Sequence, residues 1–247
     1  MTKRALVTGA SGGIGSAIAM RLADDGYHVI VGYHSSLGRA LELVDSLSGE
    51  GHEAMQITVT DPASLDAAAA HLSASSRELH VLVNCAGVTR PVAHDDLDGL
   101  DDDLIDQIFA TNWRGPFAAV RALRPLLDAA DGGAVVVNIS SVAAVTGQGS
   151  NVAYCASKAA LDSMTRSLAR SLGPQIRMVS VSPGWVLGEY ADRMPAEVID
   201  TQRSQTPLGR LATPADVGAA VSAVVNDLPF TTGALISVDG GRPLGVS

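Results

Sequence analysis

A tyrosine and a lysine stand four residues apart in the stretch "AYCASKAA", residues 153–160. In a helix this spacing places Tyr154 and Lys158 on one face. A free phenol, with a pKa near 10, exchanges its proton poorly at neutral pH, whereas a neighbouring ammonium stabilises the phenolate. The pair therefore indicates general acid–base catalysis, with Tyr154 passing the proton and Lys158 tuning it. The same spacing also occurs on ordinary helix surfaces, so the rest of the chain must decide between the two interpretations.

A glycine-rich turn, "TGASGGIG" at residues 8–15, follows the first apolar run. Glycines at a strand-to-helix junction allow a tight turn and bring the backbone close to a pyrophosphate, while the helix N-terminus offers free N–H groups. Glycines also serve ordinary turns, but this position favours dinucleotide binding. The candidate phosphate-binding residues are Gly9, Ser11, Gly13, Ile14 and Gly15.

Strand-like and helix-like segments alternate along the chain, which is typical of a doubly wound α/β sheet. The apolar runs lack strict alternation and so suit strands buried on both faces of a parallel sheet. We expect a Rossmann-type fold of the three-layer α/β/α kind, with seven strands, as one domain over residues 1–247. The strands are predicted at 4–9, 28–33, 54–59, 80–86, 134–140, 177–183 and 234–240. The helices are predicted at about 13–25, 37–48, 62–76, 101–129, 151–172 and 214–227.

The end of the second strand indicates which nicotinamide cofactor is bound. An NAD-dependent enzyme usually carries an acid there, which binds the ribose 2′-hydroxyl. This chain has "GYHSS" at 32–36, with no acid before Glu42. His34 and Ser35 can donate hydrogen bonds to a 2′-phosphate, so we expect NADP(H) to be favoured over NAD(H).

Residues 184–213 interrupt the alternation after the sixth strand. Ligands of open α/β sheets bind beyond the carboxyl ends of the strands, so a long excursion there predicts a lid over the substrate. Trp185, Tyr190 and Met194 give this segment an apolar character, which would suit either a substrate surface or the packing of the lid itself.

Composition excludes several classes of function. The net charge of −9 over 247 residues opposes a nucleic-acid partner. No apolar run reaches the ~18 residues of a membrane span, and the first residues do not resemble a signal peptide. Cys85 and Cys155 form no disulfide framework, Cys155 is interpreted as a packing residue, and no metal-ligand spacing occurs. We expect a metal-free cytoplasmic protein.

Further motifs occur in a fixed order along the chain: "NCAG" (84–87), "ATNWRG" (110–115), "NISS" (138–141), "SPG" (182–184) and "VDGG" (238–241). Together with the glycine turn and the Tyr–Lys pair, they resemble the short-chain dehydrogenase/reductase superfamily from about residue 3 to 241. Bacterial 3-oxoacyl-[acyl carrier protein] reductases are the most similar group. The resemblance implies a hydride transfer that interconverts a ketone and a secondary alcohol.

The resemblance assigns a catalytic tetrad of Asn112, Ser141, Tyr154 and Lys158. Ser141 would polarise the substrate oxygen, with its neighbour Ser140 as the alternative. Asn112 would anchor a proton-relay water, or could be an amide that satisfies backbone groups within a helix. Lys158 would also hold the nicotinamide ribose.

The resemblance also implies further cofactor contacts and an assembly. Its members pair the helices corresponding to 101–129 and 151–172 across two-fold axes, which implies a homotetramer. The carbonyl substrate would be a small molecule or an acyl thioester. The further contacts implied are Thr58, Val59, Asn84, Ala86, Gly87, Pro183, Gly184 and Val186.

The chain departs from the family pattern at three places. Gly188 stands where a threonine usually helps to hold the carboxamide, and Gly12 stands where members preferring NADP often have arginine. The stretches 126–134 and 171–175 lack the arginines that would favour docking of an acidic carrier protein. An NAD(H)-dependent sugar, steroid or polyol dehydrogenase is therefore the alternative, and a non-catalytic nucleotide sensor is a more remote one.

Overall fold

The computed structural model describes residues 2–188 and 191–242 and contains a parallel sheet in the order β3-β2-β1-β4-β5-β6-β7. Seven strands and the doubly wound order confirm the fold class that the sequence predicts. The strands are β1 (Arg4–Thr8), β2 (His28–Tyr33), β3 (Glu53–Gln56), β4 (Val81–Asn84), β5 (Ala134–Ile139), β6 (Ile176–Pro183) and β7 (Leu235–Val238).

Helices cover both faces of the sheet. One layer contains α1, α2 and α9, and the other contains α3, α5 and α7. Successive strand residues point to opposite layers, as Val7 packs with the first layer and Leu6 with the second. The helices are α1 (Gly13–Asp24), α2 (Leu37–Ser46), α3 (Pro62–Ser75), α4 (Asp102–Phe109), α5 (Gly115–Asp128), α6 (Ala143–Thr146), α7 (Val152–Leu172), α8 (Ala196–Ser204) and α9 (Pro214–Asn226).

The order of the strands in the sheet changes direction between β1 and β4. From β1 the chain adds β2 and β3 on one side, and from β4 it adds β5, β6 and β7 on the other. Val7 pairs with Val31 of β2 on one side and with Val83 of β4 on the other. The connections leave these strands in opposite directions, so a crevice opens at their carboxyl ends. The glycine turn between β1 and α1 lies at this crevice.

The third strand is shorter than the sequence suggests, because it ends at Gln56 and not at Val59. The amide of Ile57 still donates to Tyr33 (2.7 Å), but the amide of Thr58 donates to the Ser64 hydroxyl at 2.9 Å. This side-chain bond turns the backbone away from the ladder. Thr58 and Val59 therefore lie in the loop beyond β3.

The predicted helix over 101–129 contains a π-helical turn, Ala110–Arg114, between α4 and α5. Pro116 has no N–H to donate to the carbonyl of Asn112, so the ordinary α-helical bond cannot form there. The Gly115 amide instead donates to the Ala110 carbonyl, five residues back. Such single turns are frequent at functional sites.

Two helices, α3 and α9, begin with a capping residue followed by proline, which is a local sequence signal for a helix start. The Asp61 carboxylate accepts from the Ala63 amide at 3.0 Å, with Pro62 at the first helical position. Thr213 and Asp216 form a reciprocal capping box at the start of α9. Within residues 2–188 and 191–242, no helix combines the length and the apolarity that crossing a bilayer requires.

The segment 184–213 is not a structureless loop. Its two ends are joined, because Leu187 donates to the Ala212 carbonyl (2.8 Å) and Ala212 donates to the Trp185 carbonyl (3.0 Å). A 3₁₀ turn (Ala191–Arg193) and α8 lie between these ends. That this segment acts as a lid stays a prediction.

Candidate active site

A cleft of about 1500 Å³ opens at the carboxyl ends of the strands. It brings together the glycine turn, the loops after β2 and β4, the end of β5, the start of α7 and the first part of the 184–213 segment. Asn84 and Asn112 are the two candidate site residues that do not line it. The candidates that line it are Gly9, Ser11, Gly13, Ile14, Gly15, His34, Ser35, Thr58, Val59, Ala86, Gly87, Ser141, Tyr154, Lys158, Pro183, Gly184 and Val186.

The glycine turn leaves room for a phosphate-bearing cofactor. Gly9 has φ +68°, and a Cβ there would come within 2.8 Å of the Ala86 Cα. At Gly13 a Cβ would meet no atom within 4 Å, so the missing side chain leaves open space at the N-terminus of α1. Free backbone N–H groups beside open space suit the pyrophosphate of a dinucleotide.

The loop after β2 carries an arginine that the sequence reasoning missed. Arg39 lines the cleft and donates to the Ser36 hydroxyl at 3.2 Å. His34 is joined to Thr58 by a hydrogen bond of 3.0 Å, which fixes the neighbouring wall. Arg39 follows Ser36 by three residues in the first turn of α2, and that spacing is the signal which could have revealed it.

Lys158 is buried between α7 and β5 and still reaches the cleft. Its Nζ donates to the Ile139 carbonyl at 2.8 Å and lies 5.8 Å from the centre of the Tyr154 ring. Burial lowers the pKa of Lys158 to about 8, although Cys85 and Asp162 oppose the shift. Tyr154 and Lys158 therefore share one wall of the cleft, as their spacing predicts.

The two adjacent serines after β5 have different surroundings. Ser140 is buried, and its hydroxyl lies 3.4 Å from the backbone carbonyl of Lys158. Ser141 is half-buried, and its Oγ accepts a bond from the Ala143 amide at 3.2 Å. An Oγ that accepts from the backbone keeps its proton available for a substrate oxygen.

Two predicted site residues satisfy groups of the protein itself. The Asn112 side chain is fully buried, accepts from the Val88 amide (2.9 Å) and donates to the Val88 carbonyl (3.0 Å) and to Ser157 (3.2 Å). Asn84 is also buried and donates to the Asn138 side chain at 2.9 Å. Asn112 thereby fixes the loop after β4 that forms one wall of the cleft.

The three apolar residues singled out in the segment 184–213 differ in their relation to the cleft. Trp185 lines it, Met194 is half-buried and does not, and Tyr190 lies outside the described residues. Gly188 has φ +126°, a conformation that a β-branched residue such as threonine rarely adopts. The backbone conformation at position 188 therefore favours glycine, where members of the family usually carry threonine.

The described residues that line the cleft carry positive side chains although the protein as a whole is acidic. No aspartate or glutamate is among its lining residues in the part of the chain that the structure describes. Arg39 and Lys158 lie on the side of the glycine turn, and Arg193 and Arg242 also line the cleft. Sequence reasoning missed these arginines, which lie far apart in the chain.

Comparison with known proteins agrees with this geometry. Residues 9–242 match the family model described as enoyl-(acyl carrier protein) reductase. A solved structure from Burkholderia xenovorans, described as a short-chain dehydrogenase/reductase, superposes with a TM-score of 0.91 at 31% identity and 99% coverage of both chains. The chain belongs to the short-chain dehydrogenase/reductase family.

Similar curated proteins narrow the class. A 3-oxoacyl-[acyl-carrier-protein] reductase of Staphylococcus aureus is 34% identical to this chain over 245 residues, which cover 98% of each of the two chains. A (3R)-3-hydroxyacyl-CoA dehydrogenase of Canis lupus familiaris is 33% identical over 249 residues, covering 96% of this chain and 95% of the relative. The protein is an NAD(P)-dependent oxidoreductase of this family.

The lowered pKa of Lys158 gives stability a specific pH dependence. Between pH about 8 and the ordinary lysine value of 10.5, the unfolded chain binds a proton that the native protein has released. We therefore expect the free energy of unfolding to rise with pH in this window, relative to Lys158→Met. Urea denaturation of both proteins from pH 7 to 10 measures the difference, and a difference that is independent of pH contradicts the assignment.

Proposed function

We propose that the protein is an NADP(H)-dependent oxidoreductase that interconverts a ketone and a secondary alcohol, with Tyr154 as general acid and base. The observation that carries the proposal is the Tyr154–Lys158 pair on the wall of a cleft whose floor is the glycine turn. NADPH, when bound, supplies the hydride. The chain's own residues must then bind the carbonyl, orient it and deliver a proton to its oxygen.

The proton delivery follows from the arrangement of three side chains. Ser141 donates to the carbonyl oxygen and polarises it, while Tyr154 gives the same oxygen its proton during reduction. Lys158 stabilises the phenolate that remains, because an ammonium in a buried site interacts strongly with a nearby anion. In the reverse direction Tyr154 takes the proton from an alcohol.

Asn112 contributes mainly by positioning. Its amide holds both backbone groups of Val88, so the loop beside the cofactor keeps its shape. The Asn112 carbonyl, which cannot receive a bond from Pro116, is the group we propose for holding the relay water that the family resemblance implies.

Tyr154→Phe tests the acid–base role. We expect turnover to fall by at least ~10²-fold with NADPH binding retained, because the phenyl ring keeps its packing and loses the proton. Initial rates from NADPH absorbance and a fluorescence titration of NADPH measure the two quantities. Tyr27→Phe is the matched control, because the Tyr27 hydroxyl donates to the Asn226 side chain and does not line the cleft. Turnover near the wild-type value in Tyr154→Phe would refute the role.

The preference for NADP(H) rests on the loop after β2. A 2′-phosphate there would find His34, Ser35 and Ser36 as hydrogen-bond donors, Arg39 as a cation and no carboxylate among the described lining residues. Gly12 lacks the arginine that family members preferring NADP often carry in the glycine turn, and Arg39 offers the positive charge from the other side of the same pocket. Arginine favours a cofactor with a 2′-phosphate over one with a 2′-hydroxyl, because its guanidinium donates several directed hydrogen bonds to phosphate oxygens.

Arg39→Ala tests this preference. We expect kcat/KM for NADPH to fall by about 10- to 100-fold, the value of a charge-assisted hydrogen bond, and that for NADH to change little. Steady-state kinetics with each cofactor measures both. Arg124→Ala, an exposed arginine paired with Asp128 on α5, is the control. Equal losses with the two cofactors, or a wild-type preference for NADH, would overturn the assignment and favour the NAD(H)-dependent sugar, steroid or polyol dehydrogenase.

A 3-oxoacyl thioester is the best-matched substrate class. Relatives named as 3-oxoacyl-[acyl-carrier-protein] reductase and (3R)-3-hydroxyacyl-CoA dehydrogenase support this class, at 34% and 33% identity to this chain. The second name refers to a coenzyme A thioester and not to a carrier protein. A screen of ketones and 3-oxoacyl thioesters, with and without carrier protein, identifies the substrate. A non-catalytic nucleotide sensor would be expected to lack Tyr154 or Lys158, and both are present.

We further propose that residues 1–247 form one oxidoreductase domain, that residues 184–213 close over the substrate, and that the protein works in the cytoplasm as a homotetramer. Unpaired Cys85 and Cys155 fit a reducing compartment. The Trp113 and Phe117 rings stack at 6.3 Å, each 37% exposed, at the start of α5. Arg121 lies over the Phe117 ring at 5.9 Å. Such an exposed aromatic and arginine cluster fits a protein interface.

Phe117→Asp tests the assembly. We expect the tetramer to dissociate, because a charge in the middle of an apolar interface loses its hydration without a partner. Sedimentation velocity at micromolar concentration measures the state, with Leu97→Asp as a control at an exposed loop position. A wild-type protein that sediments as a monomer would contradict the proposal.

A further inference from the structure

Arg242, directly after the last glycine of "VDGG", is held at the cleft by α8. Its Nε and Nη2 atoms donate to the Gln202 Oε1 at 3.2 and 3.1 Å, and Nη2 also donates to the Gln205 side chain. Both partners are neutral amides. The guanidinium is therefore fixed in direction, and no ion pair compensates its positive charge among residues 2–188 and 191–242.

Arg193 brings a second guanidinium to the cleft from the 3₁₀ turn of the lid. Among residues 2–188 and 191–242, no hydrogen bond or ion pair reaches its side chain. By contrast, Arg203 of the neighbouring helix is paired with Asp200 at 2.7 Å and does not line the cleft. Arg193 and Arg242 are thus distinguished from the paired surface arginines of the same region.

Arg242 lies on a different side of the cleft from the predicted phosphate sites, and Arg193 precedes α8, the helix whose Gln202 holds Arg242. Arg39 follows β2, whereas Arg242 follows β7, and the sheet order places five strand spacings between β2 and β7. At about 4.8 Å per spacing, this is roughly 24 Å across the sheet. The glycine turn and Arg39 already provide for the phosphates of a dinucleotide. The second pair of positive charges therefore lies where the other reactant must enter.

The backbone keeps the pair beside the lid. Leu208 donates to the Gly240 carbonyl at 3.2 Å, which ties the segment after β7 to the end of the lid region. Gly184 packs closely against Asp239, because a Cβ atom added to Gly184 would lie 3.0 Å from the Asp239 Cα. Arg242 and the lid are thus held by the same contacts that shape the cleft beside Trp185.

We propose that Arg193 and Arg242 form a subsite for an anionic group of the carbonyl substrate, a carboxylate or a phosphate. This inference rests on the proposed function and adds the chemical class of its substrate. Two guanidinium groups with no carboxylate among the described lining residues attract an anion and can donate several charge-assisted hydrogen bonds to it. The anion is either a carboxylate on the ketone's own chain or a phosphate on the pantetheine arm of a thioester.

Two pairs of probes separate these sources. The first pair is 3-oxobutanoate and its methyl ester, and the second is 3-oxobutanoyl-coenzyme A and the 3-oxobutanoyl thioester of N-acetylcysteamine. Each pair presents one reacting carbonyl with and without the anion. Kinetics with NADPH are measured for the wild type, Arg193→Gln, Arg242→Gln and the control Arg203→Gln.

We expect the wild type to prefer the charged member of one pair, and that pair identifies the source of the anion. The Arg193→Gln and Arg242→Gln variants should lose about 10-fold or more in kcat/KM for that member, with the neutral member and the Arg203→Gln control nearly unchanged. Arg193→Gln removes no hydrogen bond among the described residues, so its result stands even if Arg242→Gln destabilises the lid. Thermal unfolding of each variant checks for that effect.

Equal losses for charged and neutral members would overturn the subsite, and so would a variant whose Kd for NADPH rises about 10-fold. A wild type that reduces the neutral probes, with turnover lost in Tyr154→Phe, supports the proposed function whatever the arginine variants show. Calorimetry with 3-hydroxybutanoate and with coenzyme A on the NADPH-loaded protein gives a readout without turnover, because an alcohol cannot be reduced further by NADPH. Binding of one of them should weaken about 10-fold in both variants, and unchanged binding of both would overturn the subsite.

Discussion

The bond from the Lys158 ammonium to the Ile139 carbonyl joins the two elements on which the site depends. A buried ammonium is costly, and its cost is reduced only where backbone or charged partners are fixed in advance. The carboxyl end of β5 provides such a partner because the strand has reached its last residue and the carbonyl is free to accept. The position of α7 on the sheet, and with it the position of Tyr154, is therefore tied to the register of a central strand.

A line of buried polar side chains supports this arrangement from beneath. Asn84 donates to Asn138, Asn138 donates to Thr165 at 2.8 Å, and Thr165 is bonded to Ser180 at 2.9 Å. The line crosses β4, β5, α7 and β6 just below the floor of the cleft. Asn84 belongs to this line and is not among the residues that line the cleft, and the cofactor contact that its motif suggests stays a prediction. A chain of buried hydrogen bonds of this kind favours one packing of helix on sheet, although the Asn84 Oδ1 has no partner among the described residues.

Local chemistry explains which parts of the structure the sequence predicts. The seven strands, the glycine turn, the proline-started helices and the Tyr154–Lys158 face all follow from residues near each other in the chain. The early end of β3 depends on a bond from the Thr58 amide to Ser64, and Arg242 reaches the cleft through Gln202, forty residues away. Pairings of this kind have no periodicity for a sequence pattern to show. The π turn is an intermediate case. The sequence analysis predicts one continuous helix there, although Pro116 is a local signal that could have indicated the turn.

The contrast between an acidic protein and a basic cleft has a consequence for the approach of ligands. A net charge of −9 repels an approaching anion within about a Debye length of the surface, whereas the cleft arginines attract it at close range. Moderate salt screens the distant repulsion first and weakens the buried contacts less. If the proposed anion subsite is correct, the encounter rate and the residence time of an anionic reactant depend on ionic strength in different ways.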